Sequence, residues 1–339
     1  MYHQGLTKRE GKRLSFSKLI VRMALILSIL AVIVVSVIVI TASTANHLMS
    51  IDKKPMSNIP ATILPSYSAT SFTSADDQTI LSGWFFKTED PISTVIVVHD
   101  TQSNRVPFGV EMVDLIDDFI SMHFNVFLFD MRNSGESEGV ISGYGYLEWQ
   151  DVLGAIKHVK KISVTTDVIL YGIGSGCSAS LLALDRLPPS SEAEVLEQYS
   201  KNIVDLGFDA SYVAGVIFDS PAKNSDDYIT PYVFKESKFA FLTQYFVPYA
   251  IRISAGVSDN VNLATEISRL PIPVCIIYGG RDTFVGAEKA GQIVSERLRL
   301  NPNTTMAKMF SGAGYVESYM IDPVEYRNTI KEFLNTYFK

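Results

Sequence analysis

Hydrophobic positions fall into two regimes along the chain. From Met23 to Asn46 no residue is charged, and "MALILSILAVIVVSVIVIT" is almost wholly aliphatic. Roughly 20 such residues cross a bilayer as a helix. From residue 66 onward, short apolar runs alternate with longer amphipathic ones. The runs at 79–86, 94–100, 125–131, 167–172, 214–220 and 273–279 are rich in Val, Ile and Phe and bounded by turn residues, which predicts strands; "TTMAKMF" at 304–310 is a weaker seventh. Several are apolar on both faces, as buried parallel strands are. Helical periodicity falls near 107–122, 144–161, 176–186, 284–299 and 322–337. This β-α alternation predicts a doubly wound α/β sheet. About fifty residues between the last two strong strands break it. They carry Tyr228, Tyr232, Phe234, Phe239, Phe241, Tyr245, Phe246 and Tyr249, and are expected to form a helical cap at about 222–270, at the strand ends where such folds bind ligands. As ordinary core aromatics, half of them or more would simply be buried. Residues 187–213 are expected to be a surface insertion.

Charge orients the apolar run. Lys8, Arg9, Lys12, Arg13, Lys18 and Arg22 precede it against Glu10 alone; Asp52, Lys53 and Lys54 follow. The positive-inside rule then places residues 1–22 as a cytoplasmic basic tail, 23–46 as a transmembrane signal-anchor, and the rest outside the cell membrane. A cleaved signal peptide is the alternative, with a small-x-small site at Ser43-Thr44-Ala45, but the apolar run exceeds the ~7–15 residues of a signal core. Residues 47–65 are polar with Pro55, Pro60 and Pro65, and read as a stalk before a domain at 66–339. Net charge is −7 despite the basic N-terminus. An acidic domain without a basic run is a poor nucleic-acid binder. Cys177 and Cys275 both lie in apolar runs and read as buried thiols rather than a disulfide framework. No Cys/His cluster has metal-ligand spacing, no cofactor motif stands out, and no feature specifies an oligomeric state.

The motif "YGIGSGC" (171–177) places glycines around a strand-to-helix turn. It departs from a dinucleotide fingerprint, because the third glycine position is Cys177 and no acidic residue closes a following strand. In order along the chain stand "VVHD" (97–100), "FDMRNSGESEG" (129–139), "YGYLEWQDVLGAIKHV" (144–159), "IFDSPA" (217–222), "IIYGGRDTFV" (276–285) and "SGAGYVESYMIDPVEYRNTIKEFL" (311–334). With these motifs the chain, from about Asp76 to its end, resembles the α/β-hydrolase family, and more narrowly bacterial membrane-anchored members of its serine aminopeptidase-like branch.

That resemblance implies a mostly parallel sheet with a helical cap, and a triad in the order nucleophile, acid, base. Asp282 falls on the acid. The nucleophile position of G-x-S-x-G is Gly174, which has no side chain to attack with. The base position is Tyr315, whose phenol, with an ordinary pKa near ~10, is a poor base; its hydroxyl is expected to satisfy Asp282. In the oxyanion loop, Asp100 follows His99 where the family has glycine, and a carboxylate there would repel a developing oxyanion. The resemblance thus implies a pseudoenzyme, a binding or scaffold protein retaining a pocket for an apolar small molecule, lipid or peptide. The alternative is an active esterase- or peptidase-type hydrolase with a displaced nucleophile. Ser175 is the candidate, although its backbone N–H is the family's oxyanion donor and its side chain opens a helix. Cys177 is a weaker candidate nucleophile. His99 could act as a displaced base, or merely support the oxyanion loop. Ser134 and Ser137 read as turn residues.

Overall fold

A computed structural model describes residues 16–339; Lys8, Arg9, Lys12 and Arg13 of the basic tail lie outside the described residues. The chain enters through one long helix, α1 (Phe16–Met49). Its apolar stretch, Lys18–Met49, is long enough to cross a membrane.

Eight strands form one sheet. They are β1 (Ser68–Thr73), β2 (Ile80–Phe86), β3 (Ser93–Val98), β4 (Phe124–Phe129), β5 (Val168–Ile173), β6 (Val213–Asp219), β7 (Val274–Gly279) and β8 (Thr305–Phe310), in spatial order β1-β2-β4-β3-β5-β6-β7-β8. β2 is antiparallel to both β1 and β4, and all later pairings are parallel. Every residue of β3, β4 and β5 is buried, as expected for central strands covered on both faces. Alternate residues feed two cores. Ile96, Val98, Leu170 and Phe218 pack under α3 (Trp149–Ile162) and α4 (Ser175–Asp185); Val95, Val97, Ile169 and Ile217 pack under α2 (Met112–Ser121) and α13 (Pro323–Tyr337). This is the doubly wound α/β-hydrolase architecture. The seven expected strands are present, and β1, which the pattern did not single out, is an added edge strand.

Two short helices, α5 (Ala193–Leu196) and α6 (Lys201–Val204), occupy the insertion between β5 and β6. The cap consists of α7 (Asp226–Glu236), α8 (Ala240–Thr243), α9 (Phe246–Ser254) and α10 (Leu263–Arg269). After β7 comes α11 (Ala287–Leu300), and α12 (Ser318–Ile321) precedes α13.

The residues expected as a free stalk do not form one. α1 runs on to Met49, and Thr41, Ala45, Leu48 and Met49 are buried against the domain. Tyr144 Oη donates to the Leu48 carbonyl, and Ser142 N–H to that of Met49. Beyond the helix, Met56, Ile59 and Leu64 pack with Trp84 on the second core, and Asn104 Nδ2 donates to the Pro55 carbonyl. The prolines fix an extended path along the surface rather than a spacer away from it.

The loop after β4 is held by two buried ion pairs. Asp130 accepts from Arg105 through its backbone N–H and its guanidinium, and from Glu136 N–H. Arg132 faces Asp151 at 2.7 Å and Asp76 at 3.0 Å. A charge stranded by loss of its buried partner costs about 3–5 kcal/mol. Asp151→Ala, which leaves Arg132 with only the more exposed Asp76 as a carboxylate partner, is therefore expected to lower the thermal unfolding midpoint of the detergent-solubilised chain sharply. A midpoint shift of a degree or less would show that solvent or Asp76 compensates the guanidinium.

Candidate functional site

The C-terminal ends of β3, β5, β6 and β7 converge beneath the cap. At the end of β5 the chain reverses into α4 through Gly174, at φ 55° and ψ −126°. That backbone region is open to glycine and strained for any residue with a Cβ. Its neighbour Gly176 is required by contact, since a Cβ there would lie 2.1 Å from the Val98 carbonyl oxygen. The small residues of this segment therefore let α4 start directly against β3.

Asp100, just beyond β3, aims its carboxylate at this turn. Oδ1 accepts from the Ser175 N–H, the Ser175 hydroxyl and the Thr101 N–H, each at 2.8 Å. Oδ2 accepts from Tyr315 Oη at 2.9 Å. In the hydrolases of this fold, the N–H after the nucleophile and an N–H of the loop after β3 form the oxyanion hole. Here both donors point at one carboxylate oxygen, and the start of α4 adds the favourable end of a helix dipole. The carboxylate expected to repel an oxyanion instead sits in its place. Burial pushes the Asp100 pKa up, against the hydrogen bonds of Ser175, Tyr315 and Thr101, which favour the anion.

The space above Gly174 is filled by the same pair. A Cβ on Gly174 would lie 2.3 Å from Tyr315 Oη and 2.5 Å from Asp100 Cγ. Tyr315 stacks on Phe284 with centroids 4.5 Å apart and lies beside Tyr228. Tyr232, on α7, packs against both Phe284 and Tyr144. Burial and the Asp100 charge push the Tyr315 phenol well above its ordinary pKa, so it acts as a donor and not as a base.

Asp282, after β7, is 4% exposed. Its Oδ1 accepts from the N–H groups of Phe284 and Val285, while Oδ2 is buried without a partner among the described residues. Tyr315 does not reach back to it as expected. A phenol hydroxyl extends farther from its backbone than an imidazole nitrogen, and here it donates to Asp100 instead. Burial pushes the Asp282 pKa up.

The candidate substitutes are engaged elsewhere. Ser175 Oγ meets Asp100 and Thr101. His99 is buried; Nδ1 contacts the Asp100 carbonyl at 2.7 Å and Nε2 accepts from Met131 N–H at 3.0 Å. Those partners assign the proton to Nδ1. Burial pushes the imidazole pKa down, so His99 is a neutral brace for the loop. Cys177 contacts the Gly172 and Asp219 carbonyls, and burial pushes its thiol pKa well up. Ser137 braces the loop after β4 by donating to the Asp130 carbonyl, and Ser134 lies in the same turn. Among the described residues no hydroxyl or thiol of this turn hydrogen-bonds an imidazole, and no group of His, Cys, Asp and Glu has metal-site geometry.

Three members of the site carried no sequence signal of their own. Thr101 supplies the second backbone donor. Val316, a β-branched residue at φ 55°, is held by Ser220 Oγ, which accepts its N–H at 3.0 Å; this strained turn sets Tyr315 in place. Asp219 closes β6 with its carboxyl fully buried, accepting from Tyr326 Oη and Ser220 Oγ. Its pKa is pushed up to about 6, chiefly by burial.

No family model matches the chain. It is 33% identical over 139 residues to the uncharacterized protein YfhR of Salmonella typhimurium, spanning 40% of this chain and 44% of that one. It is 28% identical over 244 residues to YfhR of Escherichia coli O157:H7, spanning 69% and 71%. The chain thus spans under half the length of the first of these relatives. Among solved structures it resembles the Pyrococcus furiosus esterase Pf2001, with a TM-score of 0.62, 20% identity, and coverage of 85% of this chain and 100% of that one. It also resembles the Rhodococcus esterase RhEst1, with a TM-score of 0.52, 14% identity, and coverage of 80% and 99%. At such identities the likeness establishes the fold, and the chain has the α/β-hydrolase fold.

Overpacking a close-packed site costs about 1–3 kcal/mol. Gly174→Ser is expected to destabilise by at least this much, and Gly174→Ser/Asp100→Gly to recover part of the loss in thermal unfolding; strictly additive losses would mean the side chains do not compete for space. Asp219 is protonated in the native state up to about pH 6 but ionises in the unfolded chain near its ordinary value of 3.8. Its contribution to stability is therefore present at low pH and falls as pH rises from about 4 to about 6. Asp219→Asn lacks that loss, so its melting temperature should gain on wild type across this window and run parallel above about pH 7. A constant difference from pH 4 to 7 would place the Asp219 pKa at its ordinary value.

Proposed function

We propose that this chain is a membrane-anchored, non-catalytic member of the α/β-hydrolase fold, derived from its serine aminopeptidase-like branch, that binds rather than hydrolyses. Gly174 holds the nucleophile position, Tyr315 the base position, and Asp282 the retained acid. The observation that carries this reading is the Asp100 carboxylate. It occupies both backbone donors that an acyl-transfer transition state would need, and with Tyr315 it fills the volume of a serine side chain at position 174. Oxyanion stabilisation is usually the largest single contribution in this chemistry. The loss of the nucleophile and the filling of the hole are thus parts of one arrangement.

The N-terminus is cytoplasmic and the domain extracytoplasmic, by the charge asymmetry around α1. Burial of Thr41, Ala45, Leu48 and Met49 supports an uncleaved anchor, because cleavage after Ala45 would sever the helix within its packed stripe. The ligand class is apolar, a small molecule, lipid or peptide, and the cap is the element that engages it. With the floor over Gly174 taken, such a ligand is held beside the filled site rather than presented to it for attack.

Fluorophosphonate labelling of the detergent-solubilised full chain tests the reading. Wild type is expected to remain unlabelled. Labelling that Ser175→Ala abolishes would establish the displaced-nucleophile hydrolase instead. Gly174→Ser/Tyr315→His is expected to stay silent because Asp100 still holds the donors, and to label once Asp100→Gly is added.

A further inference from the structure

The cap aromatics are neither core nor pocket lining for the most part. Tyr228 is buried and Tyr232 half-buried, but Phe234, Phe239, Phe241, Tyr245, Phe246 and Tyr249 are exposed, Phe241 by 67% and Tyr245 by 77%. Leu242 and Ile253 join them. On α9 the buried side chains are Val247, Pro248 and Ile251, while Phe246, Tyr249 and Ile253 recur at i, i+3 and i+7 on the outer face. A helix apolar all round is normally enclosed on all sides, and a contiguous exposed apolar patch marks an interaction surface.

The position of α1 identifies what covers it. Between residues 19 and 39 every α1 side chain except Val37 is exposed. At 1.5 Å per residue this free stretch is about 31 Å long, against a bilayer hydrocarbon core of about 30 Å. The stripe Val37, Ile40, Thr41, Thr44, Ala45, Leu48 and Met49 then turns inward, and α1 packs on α7, α8 and α9. Lipid-length helix ends where cap contact begins, so the cap sits at the level where the hydrocarbon gives way to headgroups. The composition of the patch suits that depth. Tyr and Phe are amphipathic or apolar rings of the kind found at membrane interfaces, and the exposed Lys235 and Lys238 flank them in an otherwise acidic domain. Glu236 is the one acidic residue between 234 and 253.

We propose that the outer face of α7–α9, with Phe239, Phe241, Tyr245, Phe246 and Tyr249, is immersed in the headgroup region of the bilayer that α1 crosses. This rests on α1 being a membrane anchor. The partner is a lipid surface, and the face packs the cap onto the membrane while its inner side covers the filled site.

The test uses the full chain in vesicles of phosphatidylcholine and phosphatidylglycerol. Cys177 and Cys275 are buried, so an introduced cysteine is labelled selectively with an environment-sensitive fluorophore. Labels are placed at Phe241→Cys and Tyr245→Cys, at Ile33→Cys in mid-span, and at the exposed Val164→Cys beside the opposite strand ends. Lipids carrying a nitroxide at carbon 5 are expected to quench positions 241 and 245, nitroxides at carbon 12 to quench position 33, and neither to quench 164. Quenching at 33 without quenching at 241 and 245 overturns the proposal and leaves the anchor intact. No quenching at 33 removes the anchor, and the proposal with it. Cross-linking between copies at Tyr245→Cys that persists on dilution with lipid assigns the face to a second copy of the chain and also overturns it.

Discussion

A single carboxylate joins segments that lie more than two hundred residues apart. Asp100 draws together the loop after β3, the start of α4 and the turn before α12. A largely desolvated carboxylate is costly unless it is hydrogen-bonded on all sides, and here two N–H groups, one alcohol and one phenol converge on it. Each donor is available because of another feature. The Ser175 N–H is free to point outward because it opens a helix, Tyr315 reaches because it is longer than an imidazole, and both fit because position 174 has no side chain. Asp100, Gly174, Ser175 and Tyr315 therefore fit as a set, and changing one alone leaves the others opposed to it.

Three carboxyl groups, Asp100, Asp219 and Asp282, lie at neighbouring strand ends, and burial pushes the pKa of each up. Their satisfaction is unequal. Asp100 engages both oxygens and Asp219 is capped by Tyr326 and Ser220, whereas Asp282 keeps one orphaned oxygen.

The main strands were readable because Val, Ile and Phe runs between turns have few other uses. β1, "SATSFT", escaped because only Phe72 of it is buried, and an edge strand needs no continuous apolar run. Motif order located Asp100, Gly174, Ser175, Asp282 and Tyr315 along the chain, and Asp100, Ser175 and Tyr315 meet in one hydrogen-bonded group over Gly174. Their connectivity was not legible, because it depends on how far each side chain extends across the turn. The outward face of the cap was hidden for another reason. On α9, Val247 and Ile251 alternate with Phe246, Tyr249 and Ile253, so periodicity shows two apolar stripes and cannot say which one faces the core. Met56, Ile59 and Leu64 are too scattered to reveal that a proline-spotted segment lies against the domain.

Because α1 enters the domain as an unbroken helix packed along its last turns, the domain has no swivel. A flexible tether would let it sample a hemisphere of positions above the membrane; this joint holds one attitude. On the proposal that α1 crosses a bilayer and the cap lies on it, encounters with other molecules would reduce to diffusion and rotation within a plane, with the same side turned to the lipid. A partner would then approach either along the membrane or from the side opposite the cap, and the helix would set the direction of approach as well as the location.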